Sequence, residues 1–522
     1  MSLFFPVRPY ALGVTNRFLP PGTGPVDVVP AGAAPAPAAP TAAPAPATAA
    51  PAGDLAARDR LVIGLLLAST FVVILNETIM GVALPRLMES LRITAVAGQW
   101  LTTAFMLTMA VVIPVTGFLL QRLNTRPVFL AAMSLFSLGT LVCAAAPGFG
   151  TLLAGRVVQA TGTAIMLPLL MTTVLTLVPP TRQGRVMGNI SIVISVAPAI
   201  GPTISGIILS ALDWRWMFIV VLPVALASLA LGALRMPDIT EPRAAPLDVL
   251  SVVLSALGFG GLVYGLSTIG EGAAAAVPAW LPLAVGAAAL GLFVLRQTRL
   301  QRADRALLDL RTFSSRTFTT ATLVLGVSVT ALFGTLIVLP LYLQNVQGLD
   351  PLATGLLLLP GGLVMGVLAP VVGRVYDRAG PTVLLVPGTV VVSAALWGFT
   401  LVSTTTPVPL VLLAHVVLHA GLALIFTPLF TAGLGALPHE LHSHGSAVVG
   451  TVQQVAGAAG AALFITVMTL AAAEPAASEV EAAAAGVRAA FLCGAVISLL
   501  AVAGSFWVRR PAGPEGVPVA AH

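Results

Sequence analysis

From Leu61 onward the chain is a succession of long apolar runs separated by short polar breaks. Fourteen runs can be counted, at roughly 61–85, 97–120, 127–146, 150–178, 185–211, 215–235, 247–270 and 278–298, then 317–343, 352–373, 382–402, 408–437, 445–472 and 487–508. Each is long enough to cross a bilayer, since about 20 apolar residues suffice as a helix. In hydrocarbon every backbone polar group must be satisfied within the segment, so the pattern predicts an all-α membrane protein with 14 transmembrane helices. Residues 1–57 break the pattern. They are rich in Pro and Ala, cannot build a core, and are expected to form a disordered tail.

Composition agrees with that reading. Hydrophobic residues make up 57% of the 522, charged residues 8%, which excludes a soluble domain. The net charge of +6 is carried entirely by arginines among the basic residues, and their placement gives orientation rather than a nucleic-acid surface. Sixteen arginines fall in breaks on the tail's side, among them Arg122, Arg126, Arg182, Arg185, Arg374 and Arg378; only Arg86, Arg92, Arg215 and Arg488 fall opposite. The positive-inside rule then predicts a multi-pass protein of the cell membrane with both termini cytoplasmic. Cys143 and Cys493 lie in apolar runs, so no disulfide framework is implied, and the six histidines have no zinc spacing. No cofactor and no metal are expected.

An internal repeat sets the architecture. Pro114-Val115-Thr116-Gly117 runs into Gln121-Arg122-Leu123-Asn124, and Pro370-Val371-Val372-Gly373 runs into Asp377-Arg378-Ala379-Gly380, 256 residues later. RVVQATGTA from Arg156 is matched by HVVLHAGLA from His415, 259 residues later. Both offsets carry a run to the one eight places on. The chain therefore divides into a first six-helix half (58–236), an inserted pair (247–298) and a second six-helix half (317–510). At the helix ends of the first repeat, Asn124 and Gly380 are expected to take left-handed backbone.

Polar residues inside the runs are the candidate chemistry. Asn76, Glu77 and Thr78 interrupt the first run, and a carboxylate in hydrocarbon costs on the order of 3 kcal/mol or more. It persists where it faces a cavity or partner. Glu77 lies roughly 12 Å below the outer end of its run and Arg156 roughly 9 Å below the same end. Opposite charges at similar depth are expected to be partners. Desolvation favours a neutral carboxyl and a nearby arginine a charged one, so small rearrangements can toggle such a site; a purely structural ion pair is the alternative. In the fifth run Pro198, Gly201, Pro202 and Gly206 are expected to interrupt regular helix, with a plain packing kink as the bland reading. His415 and His419 are spaced to share a helix face and are a candidate relay or substrate contact, the alternative being histidines bonded to a neighbouring helix. Histidines 439, 442 and 444 are expected to be solvated, and Asp213-Trp214-Arg215-Trp216 to form part of an outer aromatic belt.

Taken together the motifs resemble the major facilitator superfamily, in its fourteen-span drug:proton antiporter type (EmrB/QacA). Leu75 to Pro85 is similar to that family's first-helix motif L-D-x-T-x-x-N-x-A-L-P, with Asn76 standing where the motif has Asp. Gly117 to Arg126 resembles the loop motif G-x-L-x-D-R-x-G-R-(K/R), with Gln121 for its Asp; Asp377 stands at that position in the second half. Arg156 to Gly162 resembles R-x-x-Q-G-x-G, and Ala197 to Gly206 the antiporter motif, with Ala197 and Ser205 for two glycines. The resemblance implies two six-helix halves plus two extra helices. It implies proton coupling at Glu77, Arg156 and Asn76, gating loops at Gly117, Arg122, Arg126, Gly373, Asp377, Arg378 and Gly380, and leak-proof closure at the antiporter motif. The expected function is proton-coupled efflux of amphiphilic small molecules, with export of one dedicated metabolite or lipid on the same fold as the alternative. The expected partners are the exported compound, protons and the lipid bilayer, with a monomer as the working unit. A membrane-bound transferase would need a polar catalytic cluster in a sizeable loop, which the short arginine-rich breaks do not offer, so no enzyme is expected.

Overall fold

The computed structural model describes residues 57–93, 95–239, 248–269, 277–473 and 478–509. The tail expected over 1–57 lies outside the described residues apart from residue 57. The first half comprises α1 (Ala57–Leu91), α2 (Ala95–Arg122), α3 (Thr125–Ala144), α4 (Phe149–Leu177), α5 (Gln183–Ala211) and α6 (Trp216–Arg235). The inserted pair is α7 (Val249–Ile269) and α8 (Trp280–Leu300). The second half comprises α9 (Arg316–Asn345), α10 (Pro351–Ala379), α11 (Thr382–Phe399), α12 (Val408–Gly435), α13 (His442–Ala472) and α14 (Glu479–Ser505). All fourteen are long and apolar enough to span a membrane.

The predicted runs and the helices agree in number and order, and differ at their ends. α1 continues through Pro85 to Leu91, and α10 continues past Gly373 to Ala379. The apolar run stops where lipid contact stops, but a helix continues as long as its polar residues find water or partners. For that reason Gly117, Arg122, Gly373, Asp377 and Arg378 sit on the last turns of α2 and α10, and Arg126 on the first turn of α3, rather than in loops. The expected left-handed backbone occurs at Gly380, with φ of 80°, but not at Asn124, whose φ of −62° and ψ of 156° are the extended values of a residue preceding a helix. α5 runs as unbroken helix from Gln183 to Ala211, so the expected interruption at Gly201-Pro202 does not occur. Proline removes one backbone donor, and spanning helices tolerate that loss.

The packing carries the repeat. In the first half α1 lies against α4, α5 and α6, α2 against α4, and α3 against α4 and α6. Each of these contacts recurs eight helices later: α9 against α12, α13 and α14, α10 against α12, and α11 against α12 and α14. Contacts between the halves obey the same exchange, because α5 meets α10 and α12 while α13 meets α2 and α4. The inserted pair breaks the symmetry. α7 packs on α8 and also on α2 and α13, so it covers one inter-half seam and not the other.

Hydrogen bonds clamp that pair at the arginine-rich end. Arg296 donates to Asp248 twice, Nε to Oδ2 at 2.6 Å and Nη2 to Oδ1 at 2.7 Å. These bonds hold the Asp248 carboxyl well below the usual carboxylate range. Gln297, fully buried, donates to Ser251 Oγ at 2.7 Å and accepts from the Leu307 amide at 2.8 Å, which pins the connection into α9. Near the opposite end Trp214 is buried and donates from Nε1 to Ser90 Oγ at 3.1 Å, with the Arg215 guanidinium 4.3 Å from its ring. Of the two tryptophans in the expected aromatic belt, only Trp216 is exposed. The first tryptophan lies in a packed joint because α6 begins there and turns it inward.

Candidate functional site

Glu77 lies half-buried on α1 between Asn76, which is 2% exposed, and Thr78. Arg156 on α4 is 1% exposed and, among the described residues, is the largest side chain buried so completely. A lone guanidinium in such a place is costly unless its donors are met. Part of the need is supplied from α4 and α3. Arg156 Nη1 donates to Gln159 Oε1 at 2.7 Å, Gln159 Nε2 donates to Thr140 Oγ1 at 2.8 Å, and Thr140 donates to the Phe136 carbonyl at 2.7 Å. Phe105 on α2 adds a ring face 4.0 Å from the guanidinium carbon, an attraction worth about 2 kcal/mol when desolvated. The Nε donor remains buried with no hydrogen-bond partner, as does Asn76 Oδ1. Glu77 and Arg156 interact electrostatically, yet no ion pair within 4.0 Å joins them in this conformation. The structure thus brings the two expected partners into one neighbourhood and leaves them apart by more than a salt bridge.

The antiporter-motif residues reach the same neighbourhood. Gly201 of α5 packs directly on Thr78, so closely that a methyl group in its place would collide with the threonine hydroxyl. Thr78 Oγ1 donates to the Leu75 carbonyl at 2.9 Å within α1 and approaches the Ala197 carbonyl at 3.5 Å. Pro198 lies on the same helix one residue further on, and Gly206 has open space at its Cα, away from this contact. Pro202 is in α5, one residue past the contact.

A second constellation lies at the arginine-rich end. Asp377 accepts from the Gly184 amide at 2.8 Å and the Arg185 amide at 2.9 Å, so the last turn of α10 places a carboxylate on the N-terminus of α5. That position is favoured both by the free amides and by the helix dipole. In the first half Gln121 acts as a donor instead, Nε2 to the Glu440 carbonyl at 2.8 Å just before α13. The symmetric contacts therefore differ in strength: a hydrogen bond to a charged group is worth about 1.5–3 kcal/mol, a neutral one about 1 kcal/mol. Further in, Ser191 and Thr427 meet at 2.7 Å, Thr172 donates to Ser446 at 3.3 Å, and Gln454 approaches Met109 Sδ at 3.5 Å. These inter-half bonds run from the arginine-rich end to the middle of the bundle. Arg126 belongs to neither contact; it donates to the Ala233 carbonyl at 2.6 Å and ties α3 to α6. Arg378 is exposed at the end of α10.

Asp377→Ala should loosen this end far more than Gln121→Ala. About 2 kcal/mol is expected for the first, a shift of about thirtyfold in the closed-to-open ratio, against about fivefold for the second. Distance distributions between spin labels on α5 and α10 would read it; equal effects would contradict the asymmetry.

His415 and His419 are both buried on α12, their ring centroids 4.2 Å apart. His415 Nε2 is 3.0 Å from the Leu358 carbonyl of α10, His419 Nδ1 is 3.0 Å from the His415 carbonyl, and both rings lie against Gly361. Their contacts are thus to α10 and their own helix, and none joins them to Glu77 or Arg156 among the described residues.

The model of the Major Facilitator Superfamily matches residues 66–461. The chain belongs to that superfamily. Across 87% of its length this superfamily member is 40% identical to the uncharacterized MFS-type transporter YcnB of Bacillus subtilis (strain 168), covering 96% of that protein. It is 38% identical to the lincomycin resistance protein LmrB of the same organism, over 86% of this chain and 95% of that one. Among solved structures, the human organic anion transporter MFSD10 aligns with a TM-score of 0.63 at 16% identity, over 86% of this chain and 99% of that one, a likeness of fold alone.

The superfamily resemblance drawn from the motifs is therefore borne out, and so is the fold of two six-helix halves with two extra helices. In this superfamily member sequence reasoning missed Phe105 and Thr140, and it quoted Gln159 only as part of a motif. The three-residue spacing from Arg156 to Gln159 was a legible signal, since it puts both on one helix face. Nothing distinguishes Phe105 from the other apolar residues of its run. Histidines 442 and 444, expected in solvent, are buried in the first turn of α13, where α2 packs Gly117 against His444; His439 alone is exposed. The helix starts inside the inter-half contact and carries them in.

Proposed function

We propose that this transporter is a proton-coupled exporter of amphiphilic small molecules, acting as a monomer in the cell membrane with its arginine-rich end in the cytoplasm. The observation that carries the coupling is the buried Arg156, whose unpartnered Nε stands in the electrostatic reach of Glu77 without contact. A carboxylate and a guanidinium held apart in one conformation and joined in another form a proton switch. Separation favours the neutral acid, and contact favours the ionised form. With the halves hydrogen-bonded from the arginine-rich end to the middle of the bundle, the cytoplasmic side is closed and the switch faces outward. There Glu77 takes up a proton and the substrate leaves. Rearrangement to the inward-facing form would bring Arg156 to Glu77, expel the proton and readmit substrate. Because the protonated and ionised forms favour opposite conformations, proton and substrate travel in opposite directions, as antiport requires. The resistance relative LmrB supports a drug as cargo, and lincomycin is the first compound to test.

Expression in a host lacking its own efflux pumps is expected to raise the inhibitory concentration of lincomycin or of other amphiphilic drugs in a panel by about tenfold or more. An unchanged tolerance to the whole panel at verified membrane expression would count against drug export, and would favour one dedicated cargo.

A further inference from the structure

The segment that links α8 to α9 carries five arginines over residues 297–316 and only two acidic residues, Asp304 and Asp309. A single arginine consumes both carboxylates. Arg311 Nη2 lies 2.6 Å from Asp304 Oδ1 and 2.6 Å from Asp309 Oδ2. These bonds push the Arg311 guanidinium above its ordinary value, so it stays charged and committed. Arg299, Arg302 and Arg305 are exposed, and none of them has an ion pair within 4.0 Å among the described residues.

Their setting is ordered and borders the lipid-facing surface. Leu292, Leu295, Arg299 and Arg302 fall at helical spacings of three and four, so they form one ridge along the end of α8 and the short 3₁₀ turn Gln301–Ala303. Leu292 is 56% and Leu295 61% exposed, as expected of side chains turned to hydrocarbon. One turn beyond Leu295 the same ridge becomes guanidinium, roughly 6 Å further along the axis for Arg299 and about 10 Å for Arg302. A leucine ridge that ends in guanidinium is the pattern of a helix leaving hydrocarbon for the headgroup region. Asp304 then takes left-handed backbone, φ of 49°, and the Arg305 amide returns to the Leu300 carbonyl at 3.1 Å, so Arg305 is held beside that turn. The residues that follow are buried and pinned, the Leu307 and Leu308 amides donating to the Gln297 side-chain Oε1. The cations stand on a fixed backbone, with little left to order on binding.

We infer that Arg299, Arg302 and Arg305 form a docking surface for the phosphate headgroup of an anionic membrane phospholipid, whose acyl chain lies along Leu292 and Leu295. Guanidinium groups suit phosphate because their forked donors match its oxygens. Juxtamembrane basic clusters are each drawn to anionic lipid by about 1 kcal/mol per residue. The adjoining leucine ridge selects a lipid over free phosphate. The site goes beyond the export reading and would stand if that reading fell, because lipid binding needs no proton switch.

The test uses the purified full-length chain in detergent, titrated with phosphatidylglycerol, phosphatidylcholine or inorganic phosphate, with bound lipid counted by native mass spectrometry. The wild type is expected to retain phosphatidylglycerol in preference to phosphatidylcholine, in a salt-sensitive manner. The triple variant R299Q/R302Q/R305Q should retain it at least about tenfold less. R299K/R302K/R305K should keep part of the retention, and Arg86→Gln at the opposite end should leave it unchanged. These are exposed positions, and a matched melting temperature in the absence of lipid checks that the variants fold. Equal retention by wild type and the glutamine triple would overturn the proposal, as would phosphate alone displacing the lipid from the wild type at equal concentration.

Discussion

Glu77→Gln is expected to abolish proton-driven export while leaving a folded transporter that still binds its substrate. The glutamine side chain has the same length and one oxygen acceptor, so the packing around Asn76 and Thr78 is conserved, including the close approach of Gly201 to Thr78. What it loses is titration. Without a proton to take up on one side and release on the other, the outward and inward forms no longer differ in charge, and a proton gradient has nothing to act on. Downhill exchange of substrate should survive, because it needs only the conformational change. A fall in uphill transport of at least about a hundredfold, with substrate affinity changed by less than about threefold, is the signature of a coupling group rather than a binding group. Asn76→Ala is the internal control. Its side chain cannot ionise, so export should weaken and still respond to the pH gradient.

Arg156→Ala is expected to be as damaging, by a different route. The substitution removes the cation from a pocket that also holds Gln159 and the face of Phe105, and it leaves Gln159 Oε1 without its 2.7 Å donor. Transport should fall below detection even in variants that reach the membrane. Without the guanidinium, Glu77 loses the group that favours its ionised form and stays protonated on both sides. Arg156→Lys separates charge from shape: an ammonium keeps the electrostatic pull but lacks the planar stacking on Phe105 and the fixed fork toward Gln159. Partial, pH-gradient-dependent export by the lysine variant is expected. Full activity of the alanine variant, measured as drug efflux from energised vesicles at matched expression, would remove Arg156 from the account.

Much of the fold was legible because the bilayer simplifies it. A run of apolar residues long enough to cross has one way to satisfy its backbone, and the repeat between Gly117 and Gly373 and between Arg156 and His415 named the pairing of helices that the packing then displayed. Polar residues in apolar runs pointed to Glu77 and Arg156 for the same reason: their cost demands a use. What escaped was whatever depends on which apolar face meets which. Phe105 lies under a buried cation, yet in the sequence it is an ordinary hydrophobic residue, and Trp214, which reads there as part of an interface belt, lies in a closed joint. Helix ends escaped as well. Asp377 and Gln121 reach across the halves because α2 and α10 extend beyond their apolar runs, and hydropathy says nothing about a turn that is stabilised by contacts made elsewhere in the chain. Histidines 442 and 444 read as solvent-facing on composition, and are buried because another half closes over the start of their helix.

The central claim is that Glu77 couples proton entry to substrate exit. It is tested most directly by recording internal pH and labelled substrate together in proteoliposomes that hold the wild type or Glu77→Gln, under an imposed pH gradient. The account predicts that substrate moving against its gradient in the wild type is accompanied by protons moving the other way, and that Glu77→Gln shows neither flux while still exchanging substrate at equal pH. Uphill substrate transport with undiminished proton flux in Glu77→Gln would contradict it.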